Sequence, residues 1–265
     1  METGMNIIVC IKQVIAGDQV KIDPHTHRLV RSAEFSRINP FDLYPLAMAI
    51  RLKKEHSGTI TAITMGPEIS EAVLWEALAM GADRAVLLSD PRFSASDTLA
   101  TSYVLGIGVR KIGNYDLILS GMRTTDSGTG QVGPQLAEEL DIPHITGAER
   151  VERNKNLFRV ERISDGFREI LEVPSPALLT VSSKIEMHSP SLIEIEDTFI
   201  RHAIERWNLE DLNGDPARVG RDGSFTWVEE LIPAAKQNSC VFVEGDPRQQ
   251  AKSLLNILTN KNLLS

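Results

Sequence analysis

"LILSGMRTTDSGTGQVGPQLAEEL", residues 117–140, is the stretch that decides the fold. An apolar run stops at Ser120 and Gly121 and gives way to hydroxyl residues and glycines. From near Gln131 the apolar residues recur at helical spacing, with Glu138 and Glu139 on a solvated face. Strand, loop, helix in that order is one β-to-α unit of a parallel sheet. Working outward, three more short β-branched runs end in turn residues: "NIIVCIKQV" (6–14), "TITAITMG" (59–66) and "RAVLLSD" (84–90). Between them "DLYPLAMAIRLKKEH", "EISEAVLWEALAMGA" and "SDTLATSYVLGIGVRKIG" repeat apolar residues three and four apart. Strands that are apolar almost throughout predict a sheet covered on both faces by its crossover helices. The expectation is a doubly wound α/β domain, Rossmann-like, with a mostly parallel sheet over residues 1–184.

The pattern changes after the loop and its helix. "FRVERISDGFREILEV" (158–173) predicts an antiparallel pair turning near Asp165 and Gly166, followed by a strand at "ALLTVSS". From about Ile185 the alternation stops, and residues 185–265 are expected to form an extended C-terminal arm that packs on a partner subunit, with "DPRQQAKSLLNILTNKNLL" as a closing helix. Trp75, Met48 and Met80 are expected in the core.

Composition narrows the function classes. The 265 residues are 42% hydrophobic with a formal charge of −8. That balance gives no general attraction to nucleic acid or to an anionic membrane surface. No apolar run reaches the roughly 20 residues of a membrane helix, and no leader segment is read at the N-terminus. Cys10 and Cys240 are far apart without metal-ligand spacing, so neither a disulfide framework nor a cysteine metal site is expected. The six histidines, of which only His25 and His27 are close, suggest no metal set. A cytoplasmic or similarly reducing compartment is the expectation.

Ligands of open parallel sheets sit outside the carboxyl ends of the strands. Four loops begin there: near Cys10 to Val14, at Met65-Gly66-Pro67, at Ser89-Asp90 and at Ser120-Gly121. The last suits an anion. Gly128 and Gly130 permit close backbone approach, Ser127 and Thr129 offer hydroxyls, and a helix starting near Gln131 brings unpaired N–H groups and a positive dipole end. A few such amides could hold phosphate without a nearby lysine. A structural reading is also open, because small and glycine residues serve any β-to-α turn. Gly128, Gly130 and Gly133 spell Gly-x-Gly-x-x-Gly, but after a fourth strand rather than a first, and no P-loop lysine follows. Asp126 is read either as a partner for a ribose hydroxyl or as a turn cap. Asn39, Pro40 and Asp42 read as a helix start, and Phe41 as core or as a ring against a ligand. No nucleophilic or acid–base set is found, so the residues favour binding over bond-making.

Together, "MNIIVCIKQV", "KIDP", "INPFDLYPLAMAIRLK", "ITMGP", "ALAMGADRAVLLSD", "SDTLATS" and "DLILSGMRTTDSGTGQVGPQLAEEL" resemble, in order, the β subunit of an electron transfer flavoprotein. The resemblance implies a heterodimer with an α subunit that carries redox-active FAD. It implies AMP in the β subunit, or the AMP part of a second FAD in electron-bifurcating relatives. It places nucleotide contacts at Cys10, at Asn39, Pro40, Phe41 and Asp42, and at Met65. The main cradle would be Asp126, Ser127, Gly128, Thr129, Gly130, Gln131, Val132, Gly133, Pro134 and Gln135. Phe41 would lie close to the α-subunit flavin, with Asp97 and Thr98 as second-tier contacts. "SPSL" (189–192) resembles the loop that docks an acyl-CoA dehydrogenase, with Leu192 as its anchor against the alternative of an ordinary buried leucine. The chain departs from the family afterwards: "IEIEDTFIRHAIERW" stands where many relatives have a lysine-rich run, which bears on partner choice. "GQVGPQLAE" favours the bifurcating branch. A nucleotide-binding or sensing α/β domain without a flavoprotein partner is the competing class.

Overall fold

The computed structural model describes residues 4–15, 36–182, 190–229 and 240–264. Those up to Glu229 make one compact unit, and those after it belong to a second. In the first unit the apolar runs become parallel strands: β1 (Met5–Cys10), β4 (Gly58–Met65), β5 (Arg84–Leu88) and β6 (Leu117–Gly121). The 6–14 run does not stay in one strand. It breaks after Cys10, and β2 (Gln13–Ile15) pairs antiparallel with β3 (Ser36–Ile38) in a separate two-stranded ribbon that delivers the chain to Asn39. "KIDP", His25 and His27 lie outside the described residues.

The large sheet has nine strands in the order β11-β5-β4-β1-β6-β10-β7-β8-β9, where β7 is His144–Asn154, β8 Leu157–Ser164, β9 Phe167–Pro174, β10 Ala177–Val181 and β11 Ile204–Trp207. All neighbours from β11 to β7 are parallel, and β8 and β9 extend the sheet antiparallel. The β8–β9 turn falls at Asp165 and Gly166, both at positive φ (50° and 81°), as a two-residue hairpin of this hand requires. The fold is the expected doubly wound α/β type with a mostly parallel sheet.

Alternation along each strand feeds two apolar layers. Ile7 and Val9 face the layer under α1 (Leu43–His56) and α2 (Glu71–Met80), while Ile8 and Cys10 face the layer under α3 (Thr98–Ile112) and α4 (Val132–Leu140). Met48 and Met80 are buried in the first layer; Trp75 is partly buried there. Trp75 also meets Phe199 of α5 (Leu192–Arg201), ring centroids 4.6 Å apart. Residues of the expected arm thus join this unit: α5 lies against α2, and β11 closes the sheet edge beside β5, with Glu205 on Arg84 at 2.7 Å and Arg206 on Glu71. In the second unit α6 (Pro247–Asn260) opens on a capping box between Asp246 and Gln249 and has no buried residue.

Candidate functional site

Strand order places the site. From β1 the chain steps outward to β4 and β5, then returns across the sheet to β6 on the other side of β1. The crevice between the carboxyl ends of β1 and β6, where Cys10 is paired with Ser120, is the topological switch point at which such sheets bind ligands. Two of the predicted segments meet there. The Asn39 side chain donates to the Arg123 carbonyl (2.9 Å) and accepts from the Thr125 amide (3.3 Å), while its own amide donates to the Lys12 carbonyl (2.9 Å). Asp42 accepts from the Lys12 amide at 2.8 Å and from the Gly121 amide. Asn39 and Asp42 are buried, so the 39–42 segment is a strut that joins the ends of β1 and β6. Met65 ends β4, on the opposite side of β1.

The 126–135 turn sits on that strut. Gly128 and Gly130 have φ of 68° and 66°, a backbone that side chains with Cβ adopt at a cost, and the mouth they form is exposed. Gln131 holds the N-cap position of α4 without a side-chain cap bond, as Asp42 and Ser70 do for α1 and α2, whereas Asp97, Ser191 and Asp246 cap α3, α5 and α6. Gly133 does a different job. A Cβ there would lie 2.7 Å from Thr180 Cγ2 and 2.9 Å from Ser120 Oγ, so glycine lets the start of α4 rest directly on β6 and β10. The Ser120 hydroxyl beneath it is buried and has no hydrogen-bond partner among the described residues. Uncapped amides, positive-φ glycines and an open mouth fit an anionic, phosphate-bearing group.

A lysine also stands at the mouth: the Lys12 ammonium lies 2.8 Å from the Asp126 carboxylate. Burial alone would raise the Asp126 carboxyl, but Lys12 and hydrogen bonds from Lys12 and Thr124 hold it below the usual carboxylate range. Asp42 goes the other way. Burial pushes its carboxyl up to about 7 against the opposing effect of the Lys12 amide, Asn39, the Lys12 charge and the Gly121 amide. Burial, then Asp42, pushes the Cys10 thiol up to about 12, so it stays neutral and serves as a small side chain rather than a nucleophile. Phe41 is half-buried, with the Arg123 guanidinium 4.7 Å from its ring centre and Tyr44 edge-on at 6.5 Å.

Other residues sort by what they touch. Asp97 has one oxygen on the Leu99 and Ala100 amides and the other on the Phe225 and Thr226 amides and the Thr226 hydroxyl, so both are occupied within this chain. Thr98 does reach the turn, its hydroxyl donating to the Gln131 side-chain carbonyl at 3.2 Å. Leu192 is 84% exposed and so is not an ordinary buried leucine; it follows Ser191, which forms a capping box with Glu194. Ser189 lies outside the described residues. Lys12 and Gly121 lie in the strand-end loops read from the sequence, but neither stands among the contacts assigned there. Gly121 is legible as a glycine at a strand end; a Cβ there would fall 2.2 Å from Asp42 Oδ1. Lys12 had no local signal, because its partner is 114 positions away.

The electron transfer flavoprotein domain family matches residues 26–210. The chain belongs to the electron transfer flavoprotein β-subunit family. It is 39% identical over 85% of its length, and 87% of the relative's, to an electron transfer flavoprotein subunit beta of Clostridium acetobutylicum. Identity is 37% to the subunit of that name from Thermoanaerobacterium thermosaccharolyticum, over 98% of this chain and all of the relative. Similarity of the same extent, at 36% identity, links it to the caffeyl-CoA reductase-Etf complex subunit CarD of Acetobacterium woodii. Membership supports an electron-transfer role in place of a stand-alone nucleotide sensor. Among the described residues no helix is long and apolar enough to cross a membrane.

Proposed function

We propose that the chain is one half of a heterodimeric electron transfer flavoprotein, holding an adenine nucleotide on the 126–135 turn. In that role it helps electrons pass between an acyl-CoA-type dehydrogenase and a second redox partner. The observation that carries the proposal is the uncapped start of α4 with Gly128 and Gly130 at positive φ, set at the switch point between β1 and β6. The amides from Ser127 to Gly133 would hold the phosphate. Asn39 and Asp42 would fix the far wall, and Cys10 and Met65 would line the strand ends. FAD, mainly on an α subunit, supplies the redox chemistry when bound. This chain contributes position and electrostatics. A CoA-linked partner is supported by whole-length similarity to a protein named as part of a caffeyl-CoA reductase complex. A second reading puts the AMP part of another FAD in the same turn, as in bifurcating flavoproteins, and "GQVGPQLAE" (130–138) favours it.

Co-expression with the α partner, denaturation and a count of released FAD and AMP test both. One FAD and one AMP per heterodimer supports the simple carrier. Two FAD without AMP moves the reading to the bifurcating branch, and a complex with no adenylate beyond a single FAD overturns the proposal.

A further inference from the structure

Asp97 is placed to do more than cap a helix. The turn-containing stretch 219–226 lies against the loop 92–97: Gly220 donates to the Ser96 hydroxyl at 3.1 Å, and the Asp97 amide donates to the Ser224 hydroxyl at 2.8 Å. The approach is close enough that a Cβ on Gly220 would fall 2.1 Å from the Arg92 carbonyl oxygen. Asp97 then accepts the Phe225 amide at 2.9 Å and the Thr226 amide at 3.1 Å on the oxygen that the α3 cap leaves over. The residues just before it, 215–218, grip both α3 and α4. Arg218 stacks 3.9 Å over the Tyr103 ring of α3 and pairs at 2.7 Å with Glu139 of α4, while the Asp215 amide donates to the Tyr103 hydroxyl at 2.7 Å. Next to Asp97, Thr98 bonds Gln131 at the start of α4, and the buried Ser102 hydroxyl bridges the Thr98 and Val132 carbonyls at 2.7 and 3.3 Å.

We infer that Asp97 is a positioning residue for the adenylate turn, which it reaches without touching ligand. Its two oxygens fix the start of α3 and the 219–226 strap together, and Thr98 and Ser102 pass that position to Gln131 and Val132. Nucleotide binding and strap attachment are therefore coupled, and coupling between two equilibria is reciprocal. The inference rests on the reading that the turn holds an adenylate.

The test uses the full chain with AMP as the probe, comparing wild type with Asp97→Ser and Asp97→Asn. Both substitutes keep an acceptor for the α3 cap, and neither satisfies the strap amides as the carboxylate does. AMP is expected to slow hydrogen exchange at Phe225 and Thr226 in the wild type. Both variants are expected to exchange faster there and to bind AMP about fivefold or more weakly. Faster exchange with unchanged AMP affinity would overturn the coupling. Weaker AMP binding with no effect of AMP on the wild-type strap would place Asp97 on the nucleotide itself and equally overturn it. Should the variants not fold, an AMP-insensitive wild-type strap decides against the inference. Wild type that ignores AMP altogether sinks the adenylate reading and the coupling with it.

Discussion

At the scale of single residues the site is built by close approach. Gly130 at φ 66° stands 3.1 Å, by its would-be Cβ, from the Met122 carbonyl oxygen, and a β-branched side chain there meets both the backbone penalty and the path of the ligand. Gly130→Val should lower nucleotide occupancy at least tenfold while the exposed loop leaves the fold in place; equilibrium dialysis with AMP and a circular dichroism melt check the two halves. Gly121→Ala would drive a methyl into the Asp42 carboxylate and the Phe41 backbone, for about 1–3 kcal/mol of stability, measured by urea unfolding. Asp42 sets a pH dependence. Its folded-state carboxyl is raised to about 7 from an ordinary value of 3.8, so the folded chain binds more protons between those values than the unfolded chain does. Its contribution is fully present below about pH 4 and is lost as pH rises through 7. Asp42→Asn should therefore flatten part of the stability decline between about pH 4 and pH 7, and an identical decline in both proteins would refute the assignment. Cys10, Asn39 and the turn glycines were legible because strand-end position and residue type restrict what they can do. Asp42's partnership with Gly121 was not, since a contact between positions 42 and 121 exists only once β1 and β6 are neighbours.

Among the elements, those with a strong period were readable. The strands β1, β4, β5 and β6 and the helices α1 to α4 are announced by apolar runs that end at turn residues, and the β8–β9 hairpin by Asp165-Gly166. Strand β7 was not. Its buried residues are Ile145, Ala148 and Val151, three apart, because register shifts near Ala148 and a glycine at φ 75° break the two-residue alternation. At four residues, β11 is too short to show a period. Helix α5 had a signal that went unread: Ser191 three before Glu194 ahead of apolar residues is a capping box. Because Leu192, the first residue of that helix, is largely exposed, Leu192→Ala should change stability by no more than about 0.5 kcal/mol. It should nevertheless slow electron transfer from the dehydrogenase without releasing nucleotide. Stopped-flow reduction and a cofactor count separate docking from packing, and parallel losses in both would make the leucine structural.

For the whole molecule, a doubly wound sheet with its switch point between β1 and β6 explains why the 39–42 segment and the loop after β6, far apart in sequence, meet at one crevice. Neither net charge nor any single motif led there; topology did, and topology was readable from the order of strand and helix. The 185–265 stretch was less so, because it holds short elements such as β11 that show no period of their own. The most direct test of the central claim is amide-resolved hydrogen exchange of the chain with and without AMP. Slowed exchange is expected at Gly128, Gly130, Val132 and Gly133, and at the Phe225 and Thr226 amides coupled to them, with strands far from the turn unchanged. Protection that leaves out the turn, or none at all, would contradict a nucleotide held there.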